Sequence, residues 1–519
     1  MSDPHGDTPA PVFTPDAVES RLGTLHFRDG VPDTGTCEKV FDHLDLTHGV
    51  DTYLAALGGV SVRALRQGFL DAGVADNDVL IYTGLMDSES LFLTGNADTV
   101  YFLSFLDLSD GPMVLEVPPD CLGTVDDMWF HWLTDIGTPG PDRGTGGAYV
   151  ILPPGYDGPE PEGGVFLSRS ATFRAIVLGR AFLENDDPAP TVARIKDKLR
   201  IYPYNPGGYG SSIGSFLQGK SPLAPLKPAE PPTFVEGTGL AANTLPPNDF
   251  SFYTLLDTLI QEEPVDAPDP EAAGAFRAIG ISKGHTFRPD QRMRTLLEEA
   301  VAVANATART LALRARPEEG FAYYEDSAWF NPLFVGGYDW SVPPPEITAD
   351  GVKPYPPTTG LALNSRTAFF YAYTGISPAM CMRLSGVGSQ YLIISLDANG
   401  QPFDGDSTYA VTLPEGIPAA RFWSLTLYDN QTRSMLKTPQ RYPRAGSQNY
   451  PTPAATADHD GSSTVHLAPT RPEGVSEGNW IQTTPGKGWF AILRLYSPTA
   501  AFFDRTWRPT EIAPGTELL

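Results

Sequence analysis

The chain has 519 residues, 51 of them Gly and 51 Pro, and its 62 acidic against 36 basic side chains leave a formal net charge of -26. Such acidity repels phosphate backbones and anionic lipid, so nucleic acid and membrane surfaces are excluded as expected partners. The length exceeds one ordinary core and the Gly and Pro content signals many turns, so two β-rich domains are expected.

Residues 1–74 read as a Pro-, Asp- and Gly-rich arm followed by a helix, because Leu54, Leu57, Val62, Leu65 and Phe69 recur at near-helical spacing over 51–73. From 75 to 205, short apolar runs ("VLIYTG", "TVYFLSFLDL", "PMVLEVP", "MWFHWLT", "AYVILPPGY", "GVFLSR", "FRAIVLG") alternate with turn chemistry, which predicts an antiparallel sandwich or jelly roll. A helix started by Pro188 or Pro190 and ended near Tyr202 and Pro203 closes this domain. Residues 206–360 read as a linker and a helical connector, with helices in "DFSFYTLLDTLIQEEP" and from Arg288 to Arg316. The stretch 361–519 repeats the β pattern in "QYLIISLDANGQP", "TYAVTLPEGIPAARFWSLTLYDNQTRSML", "STVHLAP" and "GWFAILRLYSP", with Asn399-Gly400 as a hairpin turn. The expected fold is mainly β, two jelly-roll-like antiparallel β-sandwiches joined by a helical connector.

Cys37, Cys121 and Cys381 lie far apart with no CxxC pair, which suits reduced thiols. The opening "MSDPHGDTPAPVFTPDAVES" lacks a basic segment followed by an apolar one, and no window approaches about eighteen uninterrupted apolar residues. The expectation is a cytoplasmic protein with no cofactor and no metal, acting on a small-molecule substrate.

"NADTVY…LDLSDGPMVLEVPP", "DIGTPGPDRGTGGAYVILPPGYDG" and "VLGRAFLENDDPAPTVARIKDKLRIYP" resemble the bacterial domain of unknown function numbered twelve fifty-four. "SPAMCMRLSGVGSQYLIISLDANGQPFDGDSTYAVTLPEGIPAARFWSLTLYDNQTRSML" with "NWIQTTPGKGWFAILRLYSPTAAFFDRTWRPTEI" resembles its C-terminal companion, numbered twelve fourteen. The resemblance implies tandem jelly rolls and assembly into a homo-oligomer. It implies no settled activity, and the likeness of tandem jelly rolls to a group of glycoside hydrolases is analogy of fold alone. Members are often exported, and this chain shows no signal for that.

Asp98 opens the apolar run Thr99–Leu106, and with Asn96 and Tyr101 it can form a polar cluster in which a carboxylate against apolar walls serves as general acid or base. The competing reading makes Asn96 and Asp98 turn caps; Asp107, before "LSDGP", reads as turn chemistry. In the second half Tyr428 and Asp429 end a strand with Arg433 four residues on, so Asp429 and Arg433 form either an ion pair or a second site. If the two strand ends share one hollow, Asp98 and Asp429 become the acid/base pair of a hydrolase for a glycosidic or other small polar substrate, with Tyr101 and Arg433 as tuning groups. The alternatives are a non-catalytic small-molecule or carbohydrate-binding protein and a structural scaffold. Arg143 and Lys487 in Gly-rich loops can hold an anionic substrate group, and Trp329, Tyr338 and Trp340 can stack on a flat ligand, although core packing is the competing reading for all aromatics. Weaker signals are a phosphate-loop match at "GSFLQGKS" (214–221), a G-x-S-x-G match at Ser212, and oxygen ligands in "DANGQPFDGD". His131 reads as a core histidine on a strand.

Overall fold

The first helix, α1 (Thr34–Asp71), is 38 residues long and starts at Asp33, whose carboxylate accepts the Thr36 amide at 2.7 Å. It begins well before the expected residue 51. Its first half is largely exposed and its second half is buried on nearly every side, so neither half shows a clean apolar stripe. In a computed structural model, residues 12–161, 164–205, 229–314, 316, 320–348, 351–353 and 359–515 are described; the sequence matches at Ser212 and 214–221 lie outside them.

The chain divides into two compact units. One comprises the chain up to Ala56 with Pro247–Gln261 and Pro268–Thr307, and is mainly helical. Here α3 (Ser251–Glu262), α4 (Pro270–Ala278) and α5 (Gln291–Leu313) contribute, and Tyr53 of α1 stacks on Phe252 of α3 at 4.1 Å. Gly49 lets α1 and α5 approach closely, since a Cβ there would lie 2.7 Å from the Ala300 Cβ. Another helix, α2 (Ala189–Lys198), belongs to the second unit and stops short of Tyr202 because the chain turns into a strand at Arg200.

The second unit holds both β-layered regions. In the first region β1 (Val79–Ile81), β2 (Val100–Asp107), β4 (Cys121–Asp127), β5 (Trp132–Gly137), β8 (Arg174–Ala181) and β10 (Phe234–Glu236) make a six-stranded sheet in the order β10-β1-β2-β8-β4-β5. Against it lies a four-stranded sheet, β7-β6-β3-β9, of β3 (Met113–Val117), β6 (Gly147–Leu152), β7 (Phe166–Arg169) and β9 (Arg200–Pro203). Phe102, Leu106, Val125 and Val177 of the first sheet share one core with Leu115, Tyr149 and Ile151 of the second. In the second region β11 (Ser389–Ile394), β12 (Phe403–Asp404), β14 (Ala419–Asp429), β15 (Arg444–Gly446) and β18 (Gly488–Pro498) form a sheet ordered β11-β18-β14-β15, with β12 also on β18. Beneath it run β17 (Trp480–Gln482), β16 (Ser463–Ala468), β13 (Tyr409–Leu413) and β19 (Ala513–Pro514), and Leu392, Leu425, Leu427 and Leu493 pack with Val411, Val465 and Leu467.

Two layered β-regions are therefore present, but strand and helix are nearly balanced at 28% and 25%, so mainly β is too strong a description. The sheets are also mixed: β6–β7, β1–β10 and β16–β17 pair in parallel. Short apolar runs announce strands but carry no record of direction, which is why a purely antiparallel arrangement was expected. The run "MWFHWLT" is not one strand, because Phe130 takes φ 59° in a turn between β4 and β5. His131 sits in that turn with its side chain 63% exposed and Nδ1 3.1 Å from the Asp127 carboxylate, not in a core.

Candidate functional site

A strand buried on both faces must put one face into its own sandwich and the other somewhere else. The second faces of the six-stranded sheet and of the β11-β18-β14-β15 sheet meet. Register places Tyr101, Arg180 and Leu122 in one cross-strand row and Leu103, Leu178 and Thr124 in the next. The facing sheet repeats the pattern, with Tyr391, Arg494 and Ser424 in one row and Ile393, Ile492 and Thr426 in the next. Each sheet thus offers a Tyr–Arg row followed, two residues along every strand, by an apolar or threonine row. A cavity of about 150 Å³ lies between them, lined by both arginines, Tyr101, Tyr391, Leu178, Ile393 and Ile492, with Phe369 from helix α6 (Leu363–Ala372) and Leu333 and Met380 from the short helical turns Leu333–Gly336 and Pro378–Cys381.

The polar rows interlock. Arg180 donates to Ser389 Oγ at 2.9 Å, and Ser389 Oγ shares a hydrogen bond with the Tyr391 hydroxyl at 2.8 Å. Arg494 donates to the Tyr428 hydroxyl at 2.6 Å and to the Thr94 carbonyl at 2.7 Å. Among the described residues no carboxylate forms an ion pair with Arg180 or Arg494. Burial disfavours their charge, but the surrounding tyrosines, joined at Arg494 by the Asp98 carboxylate, outweigh it and hold both guanidiniums charged. Burial pushes the Tyr391 phenol up, yet Arg180, the Ser389 hydroxyl and Arg494 together overcome it and hold Tyr391 below its ordinary value. Tyr101 shows the opposite balance, with burial prevailing over the same two arginines to raise it.

The residues expected to form the site divide between cavity and scaffold. Asn96 and Tyr101 line the cavity, and the Asn96 amide donates to the Tyr101 hydroxyl at 2.8 Å. Asp98 does not line it. Its carboxylate is fully buried and takes Arg444 Nε at 2.9 Å, Ser424 Oγ at 2.7 Å and the Tyr496 hydroxyl at 2.9 Å, all from the second region. Asp429 is held elsewhere, by Lys487 Nζ at 2.6 Å and the Gln431 and Thr432 amides. Burial pushes Asp429 up, but these partners prevail and hold it below the usual carboxylate range. The two aspartates do not meet. Asp98 binds Ser424, and Asp429 lies five residues further along the same strand, roughly 16 Å at the usual rise and on the opposite face.

Arg433 packs its guanidinium 4.3 Å over the Tyr371 ring and donates to the Tyr371 and Gln431 carbonyls, so the expected Asp429–Arg433 pair gives way to Asp429–Lys487. Arg143 is an exposed turn residue with φ 52°. Trp329 is fully buried with its indole on the Thr510 carbonyl, Trp340 packs on Phe369, and Tyr338 lies edge-on to Trp132. None of these lines the cavity, although Asn331, Pro332 and Leu333 from the same aromatic segment do.

Arg180, Arg494, Tyr391 and Ser389 were missed. The signal was present: "VLGRAF" and "FAILRLY" each carry an arginine inside an otherwise apolar strand, which is the same anomaly that drew attention to Asp98.

One wall of the cavity is the segment 374–380, which sits over two buried carboxylates. Asp126 accepts the Ile376 amide at 3.1 Å and the Thr124 hydroxyl at 2.8 Å, and burial prevails to hold it well above the carboxylate range. Burial likewise pushes Asp135 up to about 7 against the pull of Ser377 and the Ala379 amide. A raised carboxyl holds its proton in the folded chain and loses it in the unfolded one, so its stabilising contribution is full below about pH 4 and is lost as pH rises through about 7. Asp135→Asn is therefore expected to gain stability relative to wild type between pH 5 and pH 8, as read by urea denaturation across that range; an unchanging difference would place the titration elsewhere.

Comparison with known proteins follows the same division. Residues 77–203 match the model described as protein of unknown function DUF1254, and residues 388–500 match that of DUF1214. No curated protein matches the chain. Among solved structures, the VPA0106 protein from Vibrio parahaemolyticus is 18% identical with a TM-score of 0.50, over 91% of this chain and all of that one, a likeness of fold. An uncharacterised protein from Burkholderia cenocepacia is 13% identical with a TM-score of 0.37, over 93% of this chain and 97% of that one. The chain thus carries a DUF1254 region, which supplies the Tyr101–Arg180 row, followed by a DUF1214 region, which supplies the Tyr391–Arg494 row.

Proposed function

We propose that the protein binds a small organic molecule in the cavity between its two β-regions. The observation that carries this reading is the meeting of two Tyr–Arg rows beside apolar rows around one hollow. Pockets for small molecules are typically apolar with a few convergent polar groups, and the jelly-roll winding expected of each region would serve to present these two sheets to one another. The test is ligand-induced stabilisation against a mixed library of neutral and charged small molecules. Some members are expected to raise the Tm of the wild type and not that of Leu178→Trp, whose indole would fill the hollow. A library with no such member would end this reading.

A hydrolytic role for the same cavity, on a small polar substrate, is a second reading favoured by Tyr391. A phenol held low by two guanidiniums in an apolar hollow can exchange a proton nearer neutral pH than an ordinary tyrosine. Asp98 and Asp429 have no part in it. Ultraviolet titration is expected to show a tyrosinate forming below about pH 10 that is missing in Tyr391→Phe; identical titration curves would remove this reading.

A further inference from the structure

We infer that the ligand is a small monocarboxylate with a benzene-sized apolar body, its carboxylate set between Arg180 and Arg494 and its body against Leu178, Ile393 and Ile492. The inference rests on the cavity being a binding site.

Charge supplies the first argument. Asp98 lies close to these groups but is already bonded by Arg444. Counting Asp98 as one negative charge and Arg180, Arg494 and Arg444 as three positive ones leaves a local excess of two. An excess of buried positive charge is costly unless an anion offsets it. Planar guanidiniums suit a planar carboxylate, which can accept from both. The partners these arginines have among the described residues are hydroxyls and a main-chain carbonyl, which orient the guanidiniums without neutralising them.

Spacing supplies the second. Arg180, Tyr391 and Arg494 each stand two residues from an apolar residue of the cavity wall, Leu178, Ile393 and Ile492, roughly 6.7 Å at the strand rise. That is about the span from a carboxylate to the far edge of a ring attached to it. An apolar hollow of this size accommodates a benzene-sized body: the cavity is about 150 Å³, and engineered apolar cavities of about that volume take benzene. A larger body would exceed the hollow, and a fully polar ligand would leave Leu178, Ile393 and Ile492 without an apolar partner.

Linkage supplies a signature that simple packing would not give. The Tyr391 phenol is held low by the same guanidiniums that would receive the carboxylate. A bound anion would compete for them, so tyrosinate formation at Tyr391 should move to higher pH when ligand is present.

The test uses the full chain with benzoate, benzamide and inorganic phosphate as probes, read by calorimetry and by ultraviolet titration. Benzoate is expected to bind at least about tenfold more tightly than benzamide, because a charged acceptor gains more from each guanidinium than a neutral one. Inorganic phosphate is expected not to displace it. Arg180→Met should weaken benzoate about tenfold or more while leaving benzamide little changed, and the tyrosinate transition should rise with benzoate in wild type but not in Tyr391→Phe. Arg180→Lys, which keeps the charge, should retain part of the affinity and guards against a folding defect in the Met variant. Equal binding of benzoate and benzamide, or displacement by phosphate, overturns the carboxylate class while the cavity remains a binding site. Binding of no probe and no library member overturns both.

Discussion

Asp98→Ala is expected to lower the unfolding free energy by about 3–5 kcal/mol, the usual cost of removing one partner from a buried ion pair. Asp98 and Arg444 are both fully buried, and the Asp98 carboxylate also satisfies the Ser424 and Tyr496 hydroxyls. Removing it leaves a guanidinium and two hydroxyls without their acceptor in a medium that solvates them poorly. Its neighbours make the same connection: the Gly95 carbonyl accepts from Tyr428, the Thr94 carbonyl from Arg494, and the Asp98 carbonyl from Gln448. The segment 94–98 therefore clasps the DUF1254 region to the sheet of the DUF1214 region. Arg444→Met alone should cost a comparable amount, and the double variant less than the sum, because neither charge is then left alone. Urea denaturation of the three variants checks this. Additive costs would show that the two groups act separately.

Trp489→Ala is expected to cost a similar 3–5 kcal/mol, for a different reason. Trp489 is fully buried beneath the DUF1214 sheet, stacked on Phe403 at 4.1 Å and edge-on to Tyr409 at 5.6 Å. Truncation removes that contact and leaves a hollow which the surrounding strands can close only partly. Its indole nitrogen, however, has no hydrogen-bond partner among the described residues. Trp489→Phe removes the unsatisfied group along with part of the ring, and so is expected to cost well under half as much as Ala. Equal losses for Phe and Ala in a denaturation series would mean that stacking area does not set the cost.

The order of the two β-regions, most strand positions and the turn at 397–400 were legible, because alternation and turn chemistry are local properties of the chain. The cap at Asp98 was half legible. Asn96 does hold the turn, accepting the Asp98 amide at 3.1 Å, but the aspartate's side chain reaches groups 326 and 346 residues away. Nothing near Asp98 in sequence distinguishes a clasp of that kind from a catalytic carboxylate, since both are charges at the end of an apolar strand. The same holds for Arg433, whose nearest acid in sequence, Asp429, bonds Lys487 instead.

What the sequence by itself carried was the anomaly: Asp98 stands just before an apolar strand and Arg180, Tyr391 and Arg494 stand inside such strands, although only Asp98 was read as one. What the tertiary structure decided was which of them meet. Strand periodicity fixes the face a side chain takes, but pairing and layer packing fix its neighbours, and these join residues hundreds of positions apart. Packing placed one aspartate against an arginine in a closed clasp and two other arginines beside a hollow, where among the described residues neither forms an ion pair with a carboxylate.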